Sequence, residues 1–215
     1  MLGICRSEVL KLKNSFSAYL IFAFLIIQII TVLPYIWFIH RGINFQNVVF
    51  LNFLILPLLS CLLAILSFDQ EKQANQFQEI RSYKYQTIIW LGKLFILDIL
   101  LIIPAGIFWL TSGQEQDVIV TVAGSLMSVL LLNIHMLLTI FVNKLVNLLI
   151  SFVECIFIIF ASNGIFNNIF WIPQTQPISL ILQPDVTRLV VTILWVILID
   201  ILFAICIKLN KFQSK

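Results

Sequence analysis

Residues 69–93 read DQEKQANQFQEIRSYKYQTIIWLGK, the one long polar interruption in an otherwise greasy chain. Its first part carries six charged residues, Asp69, Glu71, Lys72, Glu79, Arg81 and Lys84, which makes it too polar to cross a bilayer. Ala74, Phe77, Ile80 and Tyr83 recur at helical spacing, so the segment is expected to form a helix with one apolar edge. Such a helix suits docking on another protein at a membrane surface, with the rest of the chain holding it there.

Working outward, hydrophobic residues make up 61% of the chain and charged residues 11%, against about 45–50% and about 25% in soluble domains. With a mean hydropathy of +1.07, the chain reads as an integral membrane protein and not as a soluble domain with one anchor. Four cysteines, Cys5, Cys61, Cys155 and Cys206, show no ligand-like spacing. They read as small core hydrophobes, and neither a metal site nor a disulfide framework is expected. No small-residue cleavage site follows the first apolar run, which argues against a cleaved signal peptide.

A spanning helix needs roughly 20 apolar residues to cross about 30 Å of hydrocarbon. On the amino-terminal side of the polar stretch, spans are expected at about 17–38 and 48–68, the second containing Asn52, Pro57 and Ser60. Before them, the stretch MLGICRSEVLKLKNS (1–15) is expected to form an amphipathic helix with Leu2, Cys5, Val9 and Leu12 on one side. Arg6, Glu8, Lys11 and Lys13 occupy the rest, suited to the headgroup layer. On the other side, spans are expected at 88–109, 118–142, 146–165 and 188–207. Residues 162–187 mix Phe, Trp and Ile with Asn, Gln and three prolines, too broken to span and too greasy for a solvated loop. A re-entrant or interfacial segment fits best, because irregular backbone at membrane depth must be shielded by protein. The fold class is therefore all-α, integral to the membrane, with six spans.

Placing the amino terminus inside puts 11 of the 13 Lys and Arg residues on the cytoplasmic side, leaving only Arg41 and Arg188 outside. The positive-inside rule then puts both termini in the cytoplasm.

No enzyme signature is visible: no HExxH pair, no G-x-S-x-G elbow and no phosphate-binding loop. Neither catalysis nor nucleic-acid binding is expected. The polar residues within the spans are Asn52, Asp98, Asn133, His135, Glu154 and Asp200. Each is costly in lipid unless paired or hydrated. They either line a hydrated path that tolerates a cationic substrate or bind helices together. Lys93 is shallow enough to snorkel its ammonium to the interface. Gly124 with Ser128, and Ser151 with Cys155, have the small-xxx-small spacing that lets helices approach closely.

This layout, with the acidic start at Asp69, Ser82-Tyr83-Lys84 and the Gly92-Lys93 pair entering the third span, resembles an ABC-2 type transporter permease. The small size and the lack of a fused ATPase are similar to the permeases of lantibiotic immunity transporters, and most like the G-type subunit of the nisin group. The resemblance implies a cell-membrane complex in a Gram-positive bacterium, with two ATPase copies and a second permease, that expels a lantibiotic peptide from the membrane of its producer. ATP and magnesium would bind the ATPase, and no cofactor this chain. It further implies an elbow helix at 3–16 and a coupling helix at about 70–85. Glu71, Phe77, Glu79, Ile80, Arg81, Tyr83 and Lys84 would meet the ATPase, Phe77 and Ile80 as anchors. The linker 143–147 would make a second ATPase contact, and 162–187 would be the re-entrant part. Export of another drug or a lipid-linked cargo is the alternative within the class. An intramembrane enzyme, a channel and a scaffold are the readings outside it.

Overall fold

The computed structural model describes residues 2–13, 15–38, 45–73, 86–112, 115–166 and 168–209, with the side chains of 2–5, 31–38, 45–49, 51, 107–112 and 115–117 outside that description. The described residues are helical throughout apart from short turns, and they contain no strand. In chain order the helices are α1 (Leu2–Leu12), α2 (Phe16–Phe38), α3 (Phe45–Gln73), α4 (Gln86–Ser112), α5 (Glu115–Phe141), α6 (Lys144–Ser162), α7 (Gln176–Leu182) and α8 (Val186–Leu209), with one 3-10 turn at Pro173–Thr175 before α7. Among the described residues five helices are long and apolar enough to cross a membrane, or six if α1 and α2, which meet at 71°, are taken together as one bent span. The chain is a multi-pass helical membrane protein.

α5 is the hub. It packs against α3, α4, α6, α7 and α8, and 61% of its apolar window is buried, against 22% for α8 at the periphery. Lipid tails are as apolar as leucine, so such a bundle is held by close van der Waals packing and by polar contacts. Gly124 shows the packing: a Cβ added there would meet the Phe53 ring of α3 at 3.0 and 3.1 Å and Ala105 Cβ of α4 at 3.5 Å. The small-residue pair seen in the sequence thus lets two neighbours close on the hub. Pro57 and Pro104 lie inside α3 and α4.

Local sequence explains the turns. Ser15 Oγ accepts from Ala18 N at 3.3 Å, which starts α2 sharply after α1. Asn143 Oδ1 accepts from Val146 N at 2.8 Å and caps α6, which is separated from α5 by only two residues. α6 closes with Ile165 N bonded to Phe160 O and Gly164 N to Ala161 O, with Gly164 at φ 75°. This is the paired closing motif that favours glycine because its backbone is left-handed. α6 also carries the clearest membrane pattern. Asn147, Ser151, Glu154, Ile158 and Ala161 form its buried face, while Leu149, Phe152, Val153, Ile156 and Ile159 are exposed.

The helix of the second expected span runs on past Phe68, unbroken, to Gln73. The first turn of the expected coupling helix is therefore the last turn of α3, because Glu71 finds buried partners there. On α1, Glu8 and Leu12 are buried, whereas Arg6, Val9, Leu10 and Lys13 are exposed, so its acid and not most of its basic residues faces the bundle.

Candidate functional site

Polar side chains gather at three places among the described residues. The first is at the basic end of the bundle. Lys93 Nζ of α4 lies 2.5 Å from Glu71 Oε1 of α3 and 3.8 Å from Glu8 Oε2 of α1. Lys11 Nζ of α1 lies 2.9 Å from Glu8 Oε1 and 3.3 Å from Glu71 Oε1. Gln70 Nε2 donates to the Lys11 carbonyl at 3.2 Å. Glu8 and Lys11 share a face of α1 because they are three residues apart. Among the described residues, two bases meet two acids here. Lys93 does not snorkel outward: the carboxylates inside offer its ammonium closer charged partners. Glu71, at 2% exposure, is withdrawn from any docking surface.

Beside this node Lys144 Nζ lies 2.6 Å from Asp69 Oδ2, at the mouth of a cavity of about 240 Å³ between α3 and the α5–α6 turn. Phe68, Lys72, Thr139 and Asn143 also line it.

The second node joins α5, α6 and the broken segment. His135 Nδ1 lies 2.7 Å from Asn147 Oδ1, and Asn147 Nδ2 donates back to the His135 carbonyl at 3.3 Å. That second bond fixes which way the amide points, so Nδ1 must carry a hydrogen. His135 Nε2 lies 2.9 Å from Glu154 Oε2, while Glu154 Oε1 accepts from Gln174 Nε2 at 3.2 Å. Nε2 and Oε2 meet at ion-pair distance, although neither atom has a hydrogen-bond partner. The node is balanced, with one base and one acid.

Gln174 also shows how deep the broken segment reaches. Glu154 lies eight residues before the end of α6 at Ser162, about 12 Å along the helix at 1.5 Å per residue. Trp195, nine residues into α8, donates from Nε1 to the Phe170 carbonyl at 3.0 Å. The chain between α6 and α8 thus turns back into the bundle. Its irregular backbone is satisfied by amides: Gln176 Nε2 donates to the carbonyls of Ile169 at 2.6 Å and Ile172 at 3.2 Å. In an interior without water such bonds are obligatory. Arg188, placed outside by the charge count, is tucked beneath this segment, with Nη2 on Gln183 Oε1 at 2.7 Å and its guanidinium 5.9 Å from the Phe170 ring.

The third node lies on the opposite side of α5. Asn133 Nδ2 donates to Asp200 Oδ1 of α8 at 2.6 Å. Asp98 of α4 is close enough for Asp200 to act on it electrostatically, and Asp98 Oδ1 is buried without a hydrogen-bond partner. No base among the described residues pairs with either acid. Asn52 is buried on α3.

Of the six polar residues expected within the spans, His135 and Glu154 meet in the second node, Asn133 and Asp200 in the third with Asp98 within electrostatic reach, and Asn52 is buried on α3. Phe77, Glu79, Ile80, Arg81, Tyr83 and Lys84 lie outside the described residues. The sequence reading missed Glu8, Lys11, Asn147 and Gln174 as node members. Asn147 was findable: Asn147, Ser151 and Glu154 make a polar stripe at helical spacing on a strongly apolar helix. No group of three or more His, Cys, Asp and Glu side chains suited to a metal ion occurs among the described residues. Comparison with known protein families, with characterised proteins and with solved structures finds no match to this chain.

Proposed function

We propose that the chain is the membrane-spanning permease subunit of an ABC exporter that expels a lantibiotic, nisin-like peptide and so protects the producing cell. The observation that carries this reading is how the entrance to the polar stretch is built. α3 runs without a break into residues 70–73, and the Glu8–Lys11–Glu71–Lys93 node ties its end to α4 and to α1. A helix formed by the residues that follow, driven by a partner ATPase, would pull on two spans and the amino-terminal helix as one unit. The α5–α6 turn, with Asn143 capping α6 beside the cavity at Asp69 and Lys144, offers a second surface at the same end. At the other end, the re-entrant segment is fastened to α6 through Gln174 and Glu154, so movement of the spans reaches it. A cationic amphipathic peptide would enter sideways from the lipid, along the apolar faces of α6 and α8.

The reading is tested by co-purifying the chain with an ABC ATPase from its own cell and repeating this with Phe77→Ala combined with Ile80→Ala. Two anchors of about 1–2 kcal/mol each predict a loss of bound ATPase of at least about tenfold. Undiminished ATPase binding by the double variant removes the anchor assignment. A deletion strain that stays resistant to lantibiotics and becomes sensitive to other drugs points to a different cargo.

A further inference from the structure

Among the described residues, the bases that have no acid partner are exposed, with one exception. Lys11 and Lys93 meet Glu8 and Glu71, Lys144 meets Asp69 and His135 meets Glu154. Arg6, Lys13, Lys72 and Lys208 are exposed. Arg188 is 7% exposed, yet it has no carboxylate at ion-pair distance. Asp185, three residues earlier, is exposed and does not pair with it. Arginine carries a fixed charge, so it cannot relieve burial by giving up a proton. What Arg188 lacks is a whole counter-charge, which a buried cation needs. His135 and Glu154, by contrast, face each other at 2.9 Å.

Its position along α8 says what could supply that charge. Phe203 of α8 packs edge-on against Trp90, which also lies beside Lys93 at the basic end. Arg188 comes fifteen residues before Phe203, so it sits at the other end of the bundle. It is the third residue of α8, and no acid occupies that first turn. The 24 residues of α8 rise about 36 Å, more than the roughly 30 Å of hydrocarbon. The first turn of the helix therefore reaches the headgroup layer.

The contacts of the guanidinium are all neutral. Nη2 donates to Gln183 Oε1 at 2.7 Å, the Phe170 ring centroid is 5.9 Å away, and Nη1 has no acceptor. An amide oxygen thus stands where the oxygen of an anion would stand. Gln183 is exposed, so its side chain can swing away and yield Nη2 to a ligand. Below Arg188, Trp195, Leu198 and Leu202 follow at seven, ten and fourteen residues, along the same side of α8. Leu198 and Leu202 are exposed, as are Phe170 and Trp171 of the broken segment. A cation at headgroup level above an open apolar row matches the two ends of a lipid.

We propose that Arg188 anchors a binding site for an anionic phospholipid, whose phosphate takes the place of the Gln183 oxygen and whose acyl chains lie along Trp195, Leu198 and Leu202. A guanidinium presents parallel N–H donors that fit two phosphate oxygens, and Nη1 and Nη2 provide that fork. One negative charge on the lipid offsets the one positive charge of the site. A zwitterionic lipid brings an ammonium group as well, and Arg188 has no acid partner to receive it. The bound phosphate completes the charge balance beneath the broken segment, where Phe170 covers Arg188 and is bonded to Trp195. The inference rests on the chain being a multi-pass membrane protein and not on what it transports.

Native mass spectrometry of the full chain in detergent, titrated with phosphatidylglycerol, phosphatidylcholine or inorganic phosphate, tests it. The first phosphatidylglycerol is expected to be held more tightly than phosphatidylcholine. Arg188→Gln is expected to weaken it by about tenfold or more, the scale of hydrogen bonds to a charged group. Lys208→Gln, exposed at the other end of α8, is expected to leave it unchanged. Equal retention by Arg188→Gln and the parent chain overturns the proposal, and so does equal retention of the two lipids by the parent chain. Release of phosphatidylglycerol by inorganic phosphate also overturns it, because a free anion would then be the occupant. Circular dichroism and gel filtration confirm that the variants are folded. Gln183→Ala, a change at an exposed position, keeps the test open if Arg188→Gln does not fold. It removes the competitor for Nη2 and is expected to tighten phosphatidylglycerol binding by about threefold; unchanged or weaker binding overturns the site.

Discussion

Asn133 and His135 are two residues apart on α5 and face opposite ways, because each residue advances a helix by about 100°. His135 meets an acid that it can neutralise, and both its ring nitrogens face an oxygen. Asn133 meets an acid that it can only hydrogen-bond, with a second acid nearby. The same hub helix thus carries one node that is complete in charge, with acid and base together, and one in which an acid meets only an amide. The complete node also fastens the broken segment to the bundle through Gln174, which is a structural task.

The contrast is open to a sharp test by removing one partner from the complete node. His135→Ala leaves Glu154 buried with only the Gln174 amide, and breaking a buried pair from one side costs about 3–5 kcal/mol. His135→Leu with Glu154→Met removes both charges together and is expected to recover most of that loss. Urea unfolding in mixed micelles, with all four corners of the double-mutant cycle, measures the coupling. If the single and double variants lose the same stability, the pair does not hold the node and the contrast collapses.

The sequence made the greasy architecture legible and the wiring much less so. Six long apolar runs, the short link at Asn143 and the broken stretch after Ser162 are properties of local composition and can be read directly. The partners of the buried charges are not local. Lys93 reads as a snorkelling lysine until α1 is seen to bring Glu8 against it from 85 residues away. Glu71 reads as the start of a surface helix because it follows Asp69 and Gln70, yet α3 carries it into the bundle as its own last turn. The Asn and Gln content of 162–187 looks odd in a membrane segment. It becomes intelligible once Gln174 and Gln176 are seen capping an acid and two bare carbonyls. Propensity sets where helices run, but which charge meets which is decided by the packing of helices far apart in sequence.

The basic-end node extends the comparison to a case with a spare partner. Lys93→Met leaves Glu71 and Glu8 with Lys11, 3.3 Å and 2.9 Å away, as their base among the described residues. The expected cost is about 2–3 kcal/mol, below that of the His135 change, because one base still offsets part of the charge. The loss should be local. Hydrogen exchange is expected to speed up in α1 and around residues 70–73 before it does so in α5. Uniform acceleration along the chain would mean that the node serves the whole bundle and does not specifically fasten α1 to α3 and α4.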